Sequence, residues 1–157
     1  DGGKLVSGIK RHIGVDTNGL PHAIYVTTAN VTDRAGALAM FAVCNNSLTR
    51  VINILADSGY TGEPFATTAL STLGTSVEIA KRSELHKFTV IPKCWVVERS
   101  FAWPDKCRRL WKNGERNLNS SLNMVVLAFL TLSTYKDHEQ VLRSGFFHIN
   151  LKQIDLM

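Results

Sequence analysis

Residues 93–110 read KCWVVERSFAWPDKCRRL, a stretch that sets one acid, Glu98, among aromatic and aliphatic side chains and closes on Arg108 and Arg109. Val97 and Phe101 are four apart, the spacing that puts two side chains on one face of a helix. Glu98 follows Val97 at the edge of that face, and Trp95, Ala102 and Arg109 fall roughly on its own stripe. A carboxylate so placed borders a core and is only partly solvated, which suits a metal ligand. An ordinary surface charge beside an arginine has the same spacing, so the pattern alone leaves both readings open.

Upstream, residues 50–56 (RVINILA) form a short apolar run rich in β-branched residues and read as a buried strand. It stops at Asp57-Ser58-Gly59-Tyr60-Thr61-Gly62. An acid at the carboxyl end of a buried strand, ahead of a glycine turn, stands where α/β sheets place their chemistry. The competing reading is a turn aspartate that bonds its own backbone.

The first 50 residues contain a hairpin. Lys10 to Asp16 and Leu20 to Thr27 alternate, and Thr17-Asn18-Gly19 between them is a tight-turn signal. Asp33 is the expected N-cap of a helix running to about Asn45. Beyond the Asp57 turn, Pro64 to Leu73 reads as a helix opened by its proline, and Ser76 to Ala80 as a short strand. Lys81 to Pro92 is a basic loop. Asn119, Ser120 and Ser121 offer caps for a helix from Leu122 to about Thr134, apolar nearly all round and therefore expected to be buried. From Tyr135 the chain is mixed and aperiodic.

Composition bounds the class. At 157 residues, 45% hydrophobic and 20% charged, the chain suits one folded domain. Its net charge of +5 is uneven: residues 51–78 hold three acids and no cation, whereas residues 79–116 hold ten cations against four acids. Basic surface beside clustered acids is what a metal-dependent nuclease uses, since cations hold phosphates while carboxylates hold the metal. The three cysteines, Cys44, Cys94 and Cys107, have neither disulfide-framework nor zinc-site spacing, which points to a reducing cytoplasm. No signal peptide is visible at the start. The most apolar segment, Leu122 to Leu132, falls short of the ~20 residues of a bilayer span, so no membrane partner is expected.

The word WVVERSFAW resembles the catalytic-helix signature of bacterial IS5-type insertion-sequence transposases, members of the DDE transposase group. The similarity extends over most of residues 1–134, through GGK, KRHIGVDTNGLPHAIYVTTANVTDR, LADSGYTG and KRSELHKF. The resemblance implies an RNase H-like α/β fold, a mixed five-stranded sheet with helices on both faces. It makes Asp57 the second and Glu98 the third acid of an Asp-Asp-Glu site that binds two Mg²⁺ ions. It implies metal-dependent DNA strand cleavage and strand transfer at insertion-sequence ends. Lys81, Arg82, Lys93, Arg99, Arg108 and Arg109 become the DNA-binding face, and transposon-end and target DNA the partners. A homodimer in the bacterial cytoplasm, associated with the nucleoid, is the corresponding setting.

Some positions depart from the family's pattern. The family's first acid lies on a first, central strand upstream of the glycine-rich lead-in, and the sequence begins after it. Asp1 is in the wrong motif, and Asp16 matches a position that is not a ligand. Cys94 replaces a usual basic residue. Pro104 replaces a leucine and is expected to kink the helix. The expectation is a partial catalytic domain over residues 1–134 with its central strand missing, followed by an unassigned tail, 135–157. Such a chain would be a truncated or inactive transposase, and the alternative is a non-catalytic DNA-binding remnant. The gap should leave the strands around Lys10–Asp16 and Arg50–Ala56 with open inner edges, or closed on one another.

Overall fold

The structure is a computed structural model that describes residues 8–80, 102, 106–111, 114–133 and 147–156. Strand β1 (Ile9–Val15) and strand β2 (Pro21–Thr28) pair antiparallel around the expected turn. Gly19 takes φ +81° there, a backbone that costs glycine nothing. Asp16 organises the turn: its Oδ1 accepts from the amides of Asn18 (2.8 Å) and Leu20 (2.9 Å), and its Oδ2 lies 3.1 Å from His22 Nε2. Asp16 as a residue is 1% exposed, a burial cost met by those bonds.

Helix α1 (Asp33–Cys44) begins one residue earlier than its sequence signal suggests. Thr32 is the cap, its Oγ1 accepting from Ala35 N at 3.3 Å, and Asp33 sits in the first turn where a negative charge meets the helix dipole. Strand β3 (Val51–Ala56) runs through the Asp57 turn into helix α2 (Glu63–Leu73), with Pro64 in its first turn and Gly74 closing it in the left-handed conformation. Strand β4 (Ser76–Ile79) then lies parallel to β3. A short helix α3 (Arg108–Trp111) precedes helix α4 (Leu118–Ser133). The side chain at the start of α4 that binds the backbone is Asn117, whose Oδ1 accepts from Asn119 N at 2.9 Å.

The last element, strand β5 (Phe147–Leu156), comes from the tail that looks aperiodic in sequence. It occupies the middle of a five-stranded mixed sheet, order β2-β1-β5-β3-β4, antiparallel to β1 and parallel to β3. The inner edges of β1 and β3 are thus neither open nor joined to each other. Each meets β5, so their amides and carbonyls are satisfied by a segment that a reading of local pattern leaves out.

Both faces of the sheet are covered. On one, Ala37, Met40 and Phe41 of α1 and Phe65 and Ala69 of α2 pack on Ala23, Ile54, Ala56, Ile149 and Leu151. On the other, Leu110 of α3 and Val125, Ala128 and Phe129 of α4 pack on Ile13 and Val15. A fully buried aliphatic or aromatic side chain contributes about 1.5–3 kcal/mol, so either cluster outweighs the local turn and cap terms. One expectation needs correcting: α4 is not buried all round. Val126, Leu127 and Leu130 are 37%, 54% and 56% exposed, because α4 lies on the sheet by a single face. The expected kink at Pro104 lies outside the described residues.

Candidate metal and DNA site

Asp57 stands one residue beyond β3, its backbone still extended (φ −76°, ψ 176°), so the strand delivers it to the sheet's carboxyl edge. Its carboxylate is exposed, and Oδ1 accepts a 2.8 Å hydrogen bond from Gly59 N. A Cβ at Gly59 would come within 2.9 Å of that same oxygen, so a larger residue there would push the carboxylate aside. The turn-cap reading of Asp57 therefore holds, and it does not compete with the site reading. A carboxylate fixed by one amide and open to solvent is also a preorganised hard-oxygen donor.

Around Asp57 the structure gathers residues that the sequence did not single out. Arg34, in the first turn of α1, donates from Nε to the Gly59 carbonyl at 3.0 Å and ties α1 to the Asp57 turn. Lys10 of β1 reaches Asp33 with Nζ···Oδ1 at 2.9 Å. Tyr60 is 3% exposed and stacks obliquely on Phe65, with centroids 5.4 Å apart. Burial first, then the charges of Asp33 and Asp57, push the Tyr60 hydroxyl well above its usual range, so it stays protonated. The signal for this cluster was faint: one arginine beside a helix cap and one aromatic inside a glycine turn.

On the opposite face, the buried guanidinium of Arg11 donates from Nη2 to the Leu110 carbonyl at 3.1 Å. That bond satisfies a carbonyl of α3 and positions the helix that carries Arg108 and Arg109. Arg109 is exposed and forms a 2.9 Å ion pair with Glu115. Arg108 opens α3. The other expected site residues, Lys81, Arg82, Lys93, Glu98 and Arg99, lie outside the described residues.

β5 determines what stands beside Asp57. Leu55 pairs with Asn150, and carrying that register two residues further puts Lys152 abreast of Asp57. The acid of β5, Asp155, pairs instead with Lys10 at the far end of β1. Among the described residues, no group of three or more His, Cys, Asp or Glu is placed to hold a metal ion. As a donor Asp57 fits Mg²⁺, but by itself it does not make a site.

The described residues define an α/β domain with an exposed carboxylate at the end of a sheet strand and Arg34 of α1 tied to the same turn. A family model described as "Transposase DDE domain" matches residues 1–133. The chain belongs to the transposase DDE domain family. It is 36% identical over 116 residues to the Burkholderia cepacia protein "Putative transposase for insertion sequence element IS402", covering 69% of this chain and 54% of that one. The chain thus spans about half the length of this curated relative. No solved structure matches it. No helix among the described residues is long and apolar enough to cross a membrane.

Proposed function

We propose that the chain is the carboxyl-terminal part of an IS5-type catalytic domain acting on insertion-sequence DNA in the bacterial cytoplasm, at the nucleoid. The single observation that carries this reading is the Asp57 carboxylate, held by Gly59 at the end of β3 within a chain of the transposase family. Strand order and direction support an RNase H-like sheet, with β5 in the central place that the resemblance gives to a first strand.

In this reading Asp57 and Glu98 are the acids that hold Mg²⁺ over residues 1–134. Bound there, two Mg²⁺ ions would activate an attacking oxygen and stabilise the leaving one in an in-line displacement. The protein's own residues then orient the substrate. Lys81, Arg82, Lys93, Arg99, Arg108 and Arg109 hold phosphates, and the Arg34–Gly59 bond keeps the Asp57 turn fixed against α1.

The second reading, DNA binding without cleavage, rests on a specific feature. Carried past Leu55–Asn150, the register brings Lys152 of the central strand level with Asp57, a cation rather than the first acid of the family's triad. In that reading the chain binds DNA without cutting it. The two readings separate in one assay on a terminal-repeat duplex. Mg²⁺-dependent nicking supports the catalytic reading, whereas salt-dependent binding indifferent to Mg²⁺ supports the binding one. Binding insensitive to salt contradicts both.

A further inference from the structure

Sequence order leaves the segment around Asp57 without a cation: residues 51–78 hold three acids, Asp57, Glu63 and Glu78, and no lysine or arginine. The fold brings one there. Arg34, on α1, lies across the turn that follows β3, and its Nε donates to the Gly59 carbonyl at 3.0 Å. Its Nη1 lies 3.7 Å from where a Cβ on Gly62 would stand. The guanidinium thus spans the turn, from the glycine whose amide holds Asp57 to the glycine that precedes α2.

The charge of Arg34 is placed differently from that of other cations in the structure. Lys10 is paired with Asp33 and Arg109 with Glu115, both at 2.9 Å, and Arg11 is buried with a bond to the Leu110 carbonyl. Arg34 is exposed, and its hydrogen bond among the described residues goes through Nε to a neutral carbonyl. Among those residues no carboxylate forms an ion pair with it, although Asp33 adjoins it in sequence and Asp57 and Glu63 flank the turn it spans. A guanidinium is a rigid plane, so fixing Nε on Gly59 also gives the Nη edge a set direction. Parallel N–H donors on such an edge match the oxygens of a phosphate.

We infer that Arg34 is a phosphate contact of the Asp57 turn, taking one backbone phosphate of bound duplex DNA on its Nη edge while its Nε holds the Gly59 carbonyl. The inference rests on the proposed action on DNA and adds a contact outside the basic stretch of residues 79–116. A phosphate held there lies beside the turn that carries the Asp57 carboxylate. Arg34 thereby sets which part of the DNA strand faces that acid.

Filter binding of a terminal-repeat duplex to the full chain, over a range of salt and without divalent metal, tests this with Arg34→Gln and Arg34→Lys beside wild type. Both variants keep the turn in place, because Tyr60 anchors it in the core at 3% exposure against Phe65. Loss of one phosphate contact lowers the slope of log binding constant against log salt by about 0.9. Arg34→Gln should show that decrease, and Arg34→Lys, which keeps the charge without the planar fork, should recover most of it. An unchanged slope in Arg34→Gln overturns the inference and leaves DNA binding by the chain intact. Equal loss in the two variants would mean that Arg34 only holds the turn, and overturns it as well. A wild-type slope near zero overturns the DNA reading and the inference with it. Duplexes carrying one uncharged methylphosphonate at a time then locate the contact. One position should weaken binding by wild type and leave Arg34→Gln unaffected. If every position weakens the two proteins alike, Arg34 makes no such contact.

Discussion

Gly36 of α1 rests directly on the imidazole of His12, so that a Cβ at position 36 would overlap the ring. His12 is 1% exposed, and its Nε2 lies 3.0 Å from Thr27 Oγ1. This approach sets the spacing between α1 and the sheet, and with it the reach of Arg34 to the Asp57 turn. Gly36→Ala should destabilise the chain by about 1–3 kcal/mol, the usual cost of overpacking a close contact. Urea unfolding measures it. A midpoint unchanged from wild type would mean that the helix does not sit this close.

Asp16 gives a pH prediction. Burial pushes its carboxyl up, but the His22 hydrogen bond, the Leu20 and Asn18 amides and the His22 charge outweigh burial and leave it below the usual value of 3.8. A depressed folded value stabilises the fold above the unfolded value, and that contribution disappears as pH falls through the folded one. Stability should therefore drop below about pH 4. Asp16→Asn should remove this dependence and lower stability at neutral pH. A wild-type urea midpoint that stays flat through that acid range would contradict the assignment.

Arg109 should act as a phosphate contact. Arg109→Ala should reduce the slope of log binding constant against log salt by about 0.9, without altering sequence preference. An unchanged slope in filter-binding titrations would remove Arg109 from the DNA face.

Gly59 bears on the Asp57 carboxylate. Gly59→Ala would crowd Oδ1 and turn Asp57 from its present direction. Binding of Mn²⁺, a Mg²⁺ substitute, should weaken while the melting temperature falls little, because the turn is exposed. Undiminished Mn²⁺ binding would show that this geometry is not used.

How far the sequence could be read depends on where each pairing lies along the chain. The hairpin was legible because Asn18-Gly19 carries its own turn chemistry. Asp57 was legible because a β-branched run ends at it. β5 was not, because FHINLKQIDL alternates only in pieces. Ile149 and Leu151 share one parity and Ile154 and Leu156 the other, so no single period runs through it. Its pairing is supplied by strands more than 90 residues away. The exposed face of α4 was misjudged for a related reason, since an all-apolar helix does not say how many neighbours it has. The Lys10–Asp33 pair and the Arg34 tie needed the fold before they could be seen.

The central claim is that Asp57 and Glu98 serve one metal site. Mn²⁺ binding to the full chain, followed by electron paramagnetic resonance, tests it most directly, with Asp57→Asn and Glu98→Gln measured beside wild type. The account predicts that wild type binds Mn²⁺ and that either substitution alone abolishes the same bound signal. Binding that survives both substitutions, or that each removes from a different class of site, would contradict it.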